Sequence, residues 1–304
     1  MSIAADEIIF HQYALSPFSE KIRKLFAHKG MTYRNVEQPM WLPRPHLTPL
    51  TAAFRRIPVM QIGADIYCDT AMIADKLEAL RPDPTIYPDG AAGLADIVAA
   101  WADRQLFFPL CAPLVFGAIS DALPAELLAD RRKMMPGLDI EMLRAAAPVL
   151  GASLAANLDF AETALDGRSH LVGDAFSIAD AALFHTLWFV RNDPVSAGRI
   201  AERPRLAAWM QRVEEVGVGE PVDTDPAEAV ERAAASDPSD AGSGGTEIAH
   251  GTRVGIFADD LPSDVVEGEI VSADGRAIVI RRESEEAGTL HVHFPRAGYS
   301  VRPI

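Results

Sequence analysis

Near the start of the chain a short β-branched run, Ile8-Ile9-Phe10, is followed by apolar residues three and four apart: Phe18, Ile22, Leu25 and Phe26. That change of period predicts a strand, a short loop and a helix. Ser16 stands at the helix start, with Pro17 where a missing N–H costs nothing. Gly30 stops the helix after His28 and Lys29. Residues 32–36 predict a second strand. Residues 37–54 hold Pro39, Pro43, Pro45 and Pro49, too many for one regular helix. From Arg56 to Thr70 the pattern reads strand, two-residue turn, strand and helix start. Gly63 suits a turn with positive φ at its first central residue. Pro58 cannot donate to a ladder, so it belongs on an edge or in a cis turn. Asp69 or Thr70 then caps a helix with Ile73, Leu77 and Leu80 on one face.

Arg81-Pro82-Asp83-Pro84 breaks the pattern, and Tyr87-Pro88-Asp89-Gly90 extends the break. Residues 91–217 carry helical spacing throughout, beginning with Leu94, Ile97, Val98, Trp101 and Leu106. Met134-Met135-Pro136-Gly137 is a further break. Residues 142–165 predict a long helix that Pro148 either bends or splits. Ser177 lies three residues before Asp180, a shorter variant of a capping box, and a core helix follows with Leu183, Phe184, Leu187, Trp188 and Phe189. Residues 219–250 are acidic and rich in small residues, so they read as a linker with room for a short helix over 227–235. Five strand-like runs then fill 253–301, with Asp274-Gly275 as a hairpin turn. They predict a small β-barrel-like domain.

Charge and cysteine content narrow the function. A net charge of −15 over 304 residues argues against nucleic acid, which needs a basic footprint, and against an anionic membrane surface. No run approaches the ~18 apolar residues of a membrane span. The first residues are acidic, unlike a secretory signal. With Cys68 and Cys111 alone there is no disulfide framework, which points to a reducing cytoplasm.

Ser16-Pro17-Phe18-Ser19, Ile57-Pro58 and Asp69-Thr70, taken together, resemble the thioredoxin-like half of the glutathione transferase family. The Ser177/Asp180 box resembles the structural cap that starts the buried helix of its second half. The resemblance covers roughly residues 8–217. The implied fold is α+β and multidomain: a thioredoxin-like βαβ-ββα domain (1–82), an all-α domain (91–218), the acidic linker (219–250) and the β domain (251–304).

The implied function is activation of the glutathione thiolate for attack on a small-molecule electrophile. Glutathione is then the co-substrate, with no metal, and the protein a cytoplasmic homodimer of the detoxification type. A thiol is mostly protonated at neutral pH, while the thiolate is the nucleophile. A helix N-terminus carries roughly half a positive charge and unpaired N–H groups. Ser16 there is the expected donor to sulfur, with Tyr13 as runner-up; its plain alternative is an N-cap. Serine at both 16 and 19 rules out a dithiol mechanism. By the same resemblance the Ile57 main chain, before Pro58, pairs with the cysteinyl unit. Asp69 and Thr70 hold the γ-glutamyl end, and Arg56 faces the glycyl carboxylate. Arg44 and His46 are chemically suitable as further contacts. Phe18, Trp101, Phe107 and Phe108 are the expected electrophile pocket, or ordinary core. Cys68 reads as packed rather than nucleophilic, and Lys21 and Lys24 as a solvated helix face. His291 and His293 share one face of a strand, a weak zinc signal beside an ordinary surface strand. The alternative from a different class is a non-catalytic scaffold whose C-terminal β domain binds a partner.

Overall fold

The computed structural model describes residues 3–4, 6–135, 137–242 and 248–304. Pro136 and residues 243–247, read above as part of a break and of the acidic linker, lie outside the described residues, as do three of the first five. The chain divides into two compact units, one of residues up to 22, 31–80 and 220–304, the other of 23–30 and 81–219.

In the first unit β1 (Ile9–Gln12), α1 (Pro17–His28) and β2 (Thr32–Glu37) form the expected βαβ, with β2 parallel to β1. After the one-turn helix α2 (Thr48–Thr51), β3 (Val59–Ile62) and β4 (Asp65–Cys68) make an antiparallel hairpin through Gly63, whose φ is +56°. α3 (Thr70–Leu80) completes the thioredoxin-like layout.

The sheet does not end there. β5 (Glu220–Asp223) adds in parallel beyond β2. α11 (Pro226–Ala234) puts Ala229 against Ile3, Ile9 and Val36. α11 is the short helix expected over 227–235, while β5 is an element not expected in that stretch. β6 (Arg253–Ala258), β7 (Leu261–Ala273), β8 (Ala277–Ser284), β9 (Gly288–Pro295) and β10 (Tyr299–Pro303) match the five predicted runs. They continue the same sheet in the open order β10-β6-β7-β8-β9-β4-β3-β1-β2-β5 rather than closing on themselves as a barrel. The physical reason is the edge at β4. Every residue of β4 is buried, and its outward N–H and C=O groups need a partner. β9 supplies it in parallel register, Asp65 opposite His291 and Tyr67 opposite His293.

His291 and His293 are therefore buried in the sheet, not on a surface strand. His293 Nε2 lies 2.8 Å from Asp65 Oδ1, and its ring stacks on Tyr67 with centroids 4.5 Å apart. Burial raises the Asp65 carboxyl. The His293 bond and the Ser239 N–H outweigh it and leave the group below its ordinary range.

The second unit is helical. α4 (Ala92–Ala100), a π-helical segment (Trp101–Cys111) and α5 (Ala112–Ile119) run on without interruption, and a 3₁₀ turn (Ser120–Ala122) ends them. Because these pieces join, Ala92–Ala122 is long and apolar enough to cross a membrane by length and composition, which the separate runs did not suggest; 44% of its most apolar window is buried. α6 (Ala125–Met134), α7 (Ile140–Ala164), α8 (Ile178–Val190), α9 (Pro194–Ala201) and α10 (Pro204–Glu215) follow. Pro148 lies inside α7 and does not split it. α8 is the most deeply buried helix, and its capping box is formed as read from Ser177 and Asp180.

The lysines of α1 are not on a solvated face. Lys21 and Lys24 are both almost wholly buried. Lys24 Nζ donates to the Glu214 and Gly217 carbonyls at 3.0 and 2.9 Å. Those carbonyls close α10, where a helix presents unpaired acceptors and partial negative charge. A buried ammonium is tolerable there because its donors are used.

Candidate functional site

The strand register brings the motifs together. His11 lies opposite Val59, and Val59 opposite Cys68. The chain leaving β1, the chain entering β3 and the chain leaving β4 thus meet at one end of the sheet. Those three places hold Tyr13 and Ser16, Ile57-Pro58, and Asp69-Thr70. The Ile57–Pro58 peptide bond is cis.

Ser16 is buried at the mouth of α1. Its Oγ accepts the Ser19 N–H at 3.2 Å, so the N-cap role is real. That bond uses an oxygen lone pair and leaves the hydroxyl proton available for donation. The plain reading therefore holds, and it is compatible with the functional one. Tyr13 is half-buried and packs against the apolar cluster that includes Leu50, Phe54 and Ile57.

Thr70 Oγ1 accepts from Lys21 Nζ at 3.1 Å, which also leaves its proton to donate. Lys21 was missed as a site residue, although a signal existed: with Phe18, Ile22 and Leu25 it completes the i, i+3, i+4, i+7 stripe that faces inward. Asp69 has a φ of +77°, a left-handed conformation that aspartate tolerates better than most residues. Its Oδ1 accepts the Ala71 N–H at 2.9 Å, and its Oδ2 accepts the Tyr299 hydroxyl at 3.1 Å. Arg56 donates from Nη2 to Asp260 Oδ1 at 2.6 Å. Burial alone lowers the Arg56 pKa, but facing Tyr299, Asp260 and Asp69 raise it overall. Tyr299 and Asp260 come from β10 and from the turn between β6 and β7. At more than 180 residues' distance no local pattern announces them.

Arg44 is buried and holds the proline-rich loop, donating to the Pro39, Met40 and Arg55 carbonyls; His46 is exposed. Of the aromatic set, Phe107 and Phe108 touch edge to face at 5.2 Å within the π-helical segment. Phe107 also lies 5.7 Å from the buried His185 ring, and Phe108 is 39% exposed. Trp101 is half-buried at the start of that segment. Phe18, half-buried, belongs to the first unit. Pro109 sits inside the π-helical segment, where the wider hydrogen-bond register accommodates a residue without an N–H. Both cysteines are free and buried. Burial pushes the Cys111 thiol up to about 12 and the Cys68 thiol well above its ordinary value. Thiols held protonated in this way are poor nucleophiles.

The fold recurs among known proteins. The family profile for the glutathione S-transferase N-terminal domain matches residues 10–85, and that for the C-terminal domain matches 141–212. A solved GST-like protein from Pseudomonas syringae is 35% identical, covers 98% of this chain and 100% of its own, and superposes with a TM-score of 0.78. A glutathione S-transferase from Rhodospirillum rubrum is 20% identical over 68% of this chain and 87% of its own, with a TM-score of 0.54. FzlA from C. crescentus is 21% identical over 68% of this chain and 88% of its own, with a TM-score of 0.55. These last two show the shared fold. Among curated proteins nothing matches.

Proposed function

Because this chain belongs to the glutathione S-transferase family, we propose that it binds glutathione and activates its thiol for attack on an electrophilic small molecule. The observation that carries the proposal is Ser16, buried at the α1 N-terminus with its hydroxyl proton unspent by the capping bond. A thiolate placed there meets the hydroxyl donor and the partial positive charge of the helix end. Both are fixed before the ligand arrives, so stabilising the anion needs little reorganisation. The Ile57 main chain pairs with the cysteinyl unit. Asp69 takes the γ-glutamyl ammonium. Thr70, backed by the buried Lys21 ammonium, takes the γ-glutamyl carboxylate. Arg56 stands nearest the glycyl end. Phe18 is assigned to the electrophile, and the protein to a cytoplasmic homodimer.

A pH titration of thiolate absorbance, with glutathione bound to the wild type and to Ser16→Ala, tests this. The wild type is expected to hold the bound thiol below its free pKa by about one unit or more. Ser16→Ala is expected to return it, with roughly a tenfold loss of thiolate at neutral pH. An unchanged thiol pKa in the wild type, or no binding, sinks the proposal. Activation that survives in Ser16→Ala transfers the role to Tyr13.

One observation favours a second reading, the non-catalytic scaffold. Arg56 and Asp69 already hold partners from the C-terminal strands, as a site closed to ligand requires. The same titration separates the two, since a scaffold gives no activated thiol.

A further inference from the structure

The C-terminal strands reach two of the side chains assigned to glutathione, Asp69 and Arg56. Tyr299 is buried beside Phe294, with ring centroids 5.5 Å apart, and its hydroxyl donates to Asp69 Oδ2. Asp260, in the two-residue turn between β6 and β7, holds Arg56 at 2.6 Å. That turn is itself tied to the start of β10: Ser300 Oγ donates to Asp259 Oδ1 at 2.6 Å, and the Asp259 N–H donates to the Gly298 carbonyl at 3.1 Å. The aspartate is therefore held in place. It remains open to solvent, with 48% of its side chain exposed against 25% for Arg56.

A carboxylate arriving at Arg56 meets a guanidinium already neutralised and a second carboxylate alongside it. Like charges a few ångströms apart repel, and an anionic ligand must compete for the donors that Asp260 uses. A neutral or cationic group at that position escapes both costs.

Given the glutathione reading above, we propose that residues 251–304 form part of the binding site and that Asp260 sets its specificity: by holding Arg56 it turns the site away from a free glycyl carboxylate and towards a γ-glutamyl thiol whose far end is neutral or positively charged. Tyr299 is a positioning residue in this scheme. It fixes the Asp69 carboxylate that receives the γ-glutamyl ammonium, an end common to both kinds of ligand.

The test is calorimetric titration of the full chain with glutathione and with its glycine amide, γ-Glu-Cys-Gly-NH2. The wild type is expected to bind the amide more tightly than glutathione. Asp260→Asn is expected to tighten glutathione up to about fivefold, the scale of one partly exposed charge pair, while leaving the amide unchanged. Tyr299→Phe is expected to weaken both ligands alike, by about three- to tenfold. The ratio of the two affinities is read on one protein sample, so a loss of folded protein does not move it. If both ligands bind and Asp260→Asn leaves their ratio unchanged, the specificity role is overturned while the glutathione reading stands. If neither ligand binds the wild type or the variant, both fall together.

Discussion

Asp180→Ala is expected to destabilise the helical unit by about 4 kcal/mol, at the top of the range for single substitutions. The reason is the number of groups that one carboxylate serves. Oδ2 accepts the Ser177 N–H at 2.9 Å and the Ser177 hydroxyl at 2.8 Å. Oδ1 accepts the Leu171 N–H at 3.0 Å and the Trp209 indole N–H at 2.8 Å. Asp180 and Trp209 are fully buried, so none of these donors finds water when the carboxylate is removed. Each donor stranded in the interior costs about 1–3 kcal/mol. Ser177→Ala removes only the capping hydroxyl and is expected to cost about 1 kcal/mol. Urea unfolding of the two variants, followed by far-ultraviolet circular dichroism, separates them. If Asp180→Ala costs no more than Ser177→Ala, the carboxylate is a cap and not the hub that joins α8, α10 and the 171 turn.

Stability is also expected to fall by about 3 kcal/mol between pH 6.5 and pH 4 on account of His11 alone. Its ring is fully buried in β1. Gln61 Nε2 donates to the Gly63 and Ala229 carbonyls, both at 2.9 Å, so its Oε1 must be the atom that faces His11. His11 Nε2, at 2.9 Å, therefore carries the proton, and Nδ1 accepts from the Gln38 amide at 3.3 Å. Protonating Nδ1 would set two donors against each other in a fully buried site. Burial takes the imidazole from 6.5 down to about 4, and the Gln61 bond offsets only part of that. The unfolded chain binds this proton below pH 6.5, whereas the folded chain does not until about pH 4. The contribution is complete above 6.5, is lost as the pH falls through that window, and changes no further below it. At ~1.4 kcal/mol per pH unit the window gives the figure above. His11→Gln is expected to flatten that part of the profile, read as urea midpoints from pH 7.5 to 4. An identical slope in the variant assigns the acid sensitivity to another group.

What was legible in the chain was local. The strand, loop and helix around Ser16 follow from Ile8-Ile9-Phe10 and the spacing of Phe18, Ile22 and Leu25. The β3–β4 hairpin follows from Gly63, and α8 from Ser177 and Asp180. Each rests on contacts made within about a dozen residues. β5 was hidden because Glu220-Pro221-Val222-Asp223 carries no apolar alternation; all four residues are exposed, and its place comes from main-chain pairing with β2. The open sheet was hidden for a different reason. The strand pattern of residues 253–301 shows that strands form, but not that β9 prefers β4 to a sister strand. That choice is made by the buried edge of β4, and Asp65 and His293 meet only once it has been made. Lys21 was readable from its place in the apolar stripe. Asp260 and Tyr299 were not, since their partners lie far back in the chain.

The pairing of β9 with β4 sets a timetable for the nascent chain. Asp65 leaves the ribosome long before its partner His291 exists. At ~5–20 residues per second the edge of β4 waits about 10–50 s for the strand that covers it. Residues 81–219, made in between, form a unit of their own and can fold in that interval. The first unit to be started is thus the last to be finished, and through the wait it presents an unpaired, apolar strand edge to whatever chaperones it.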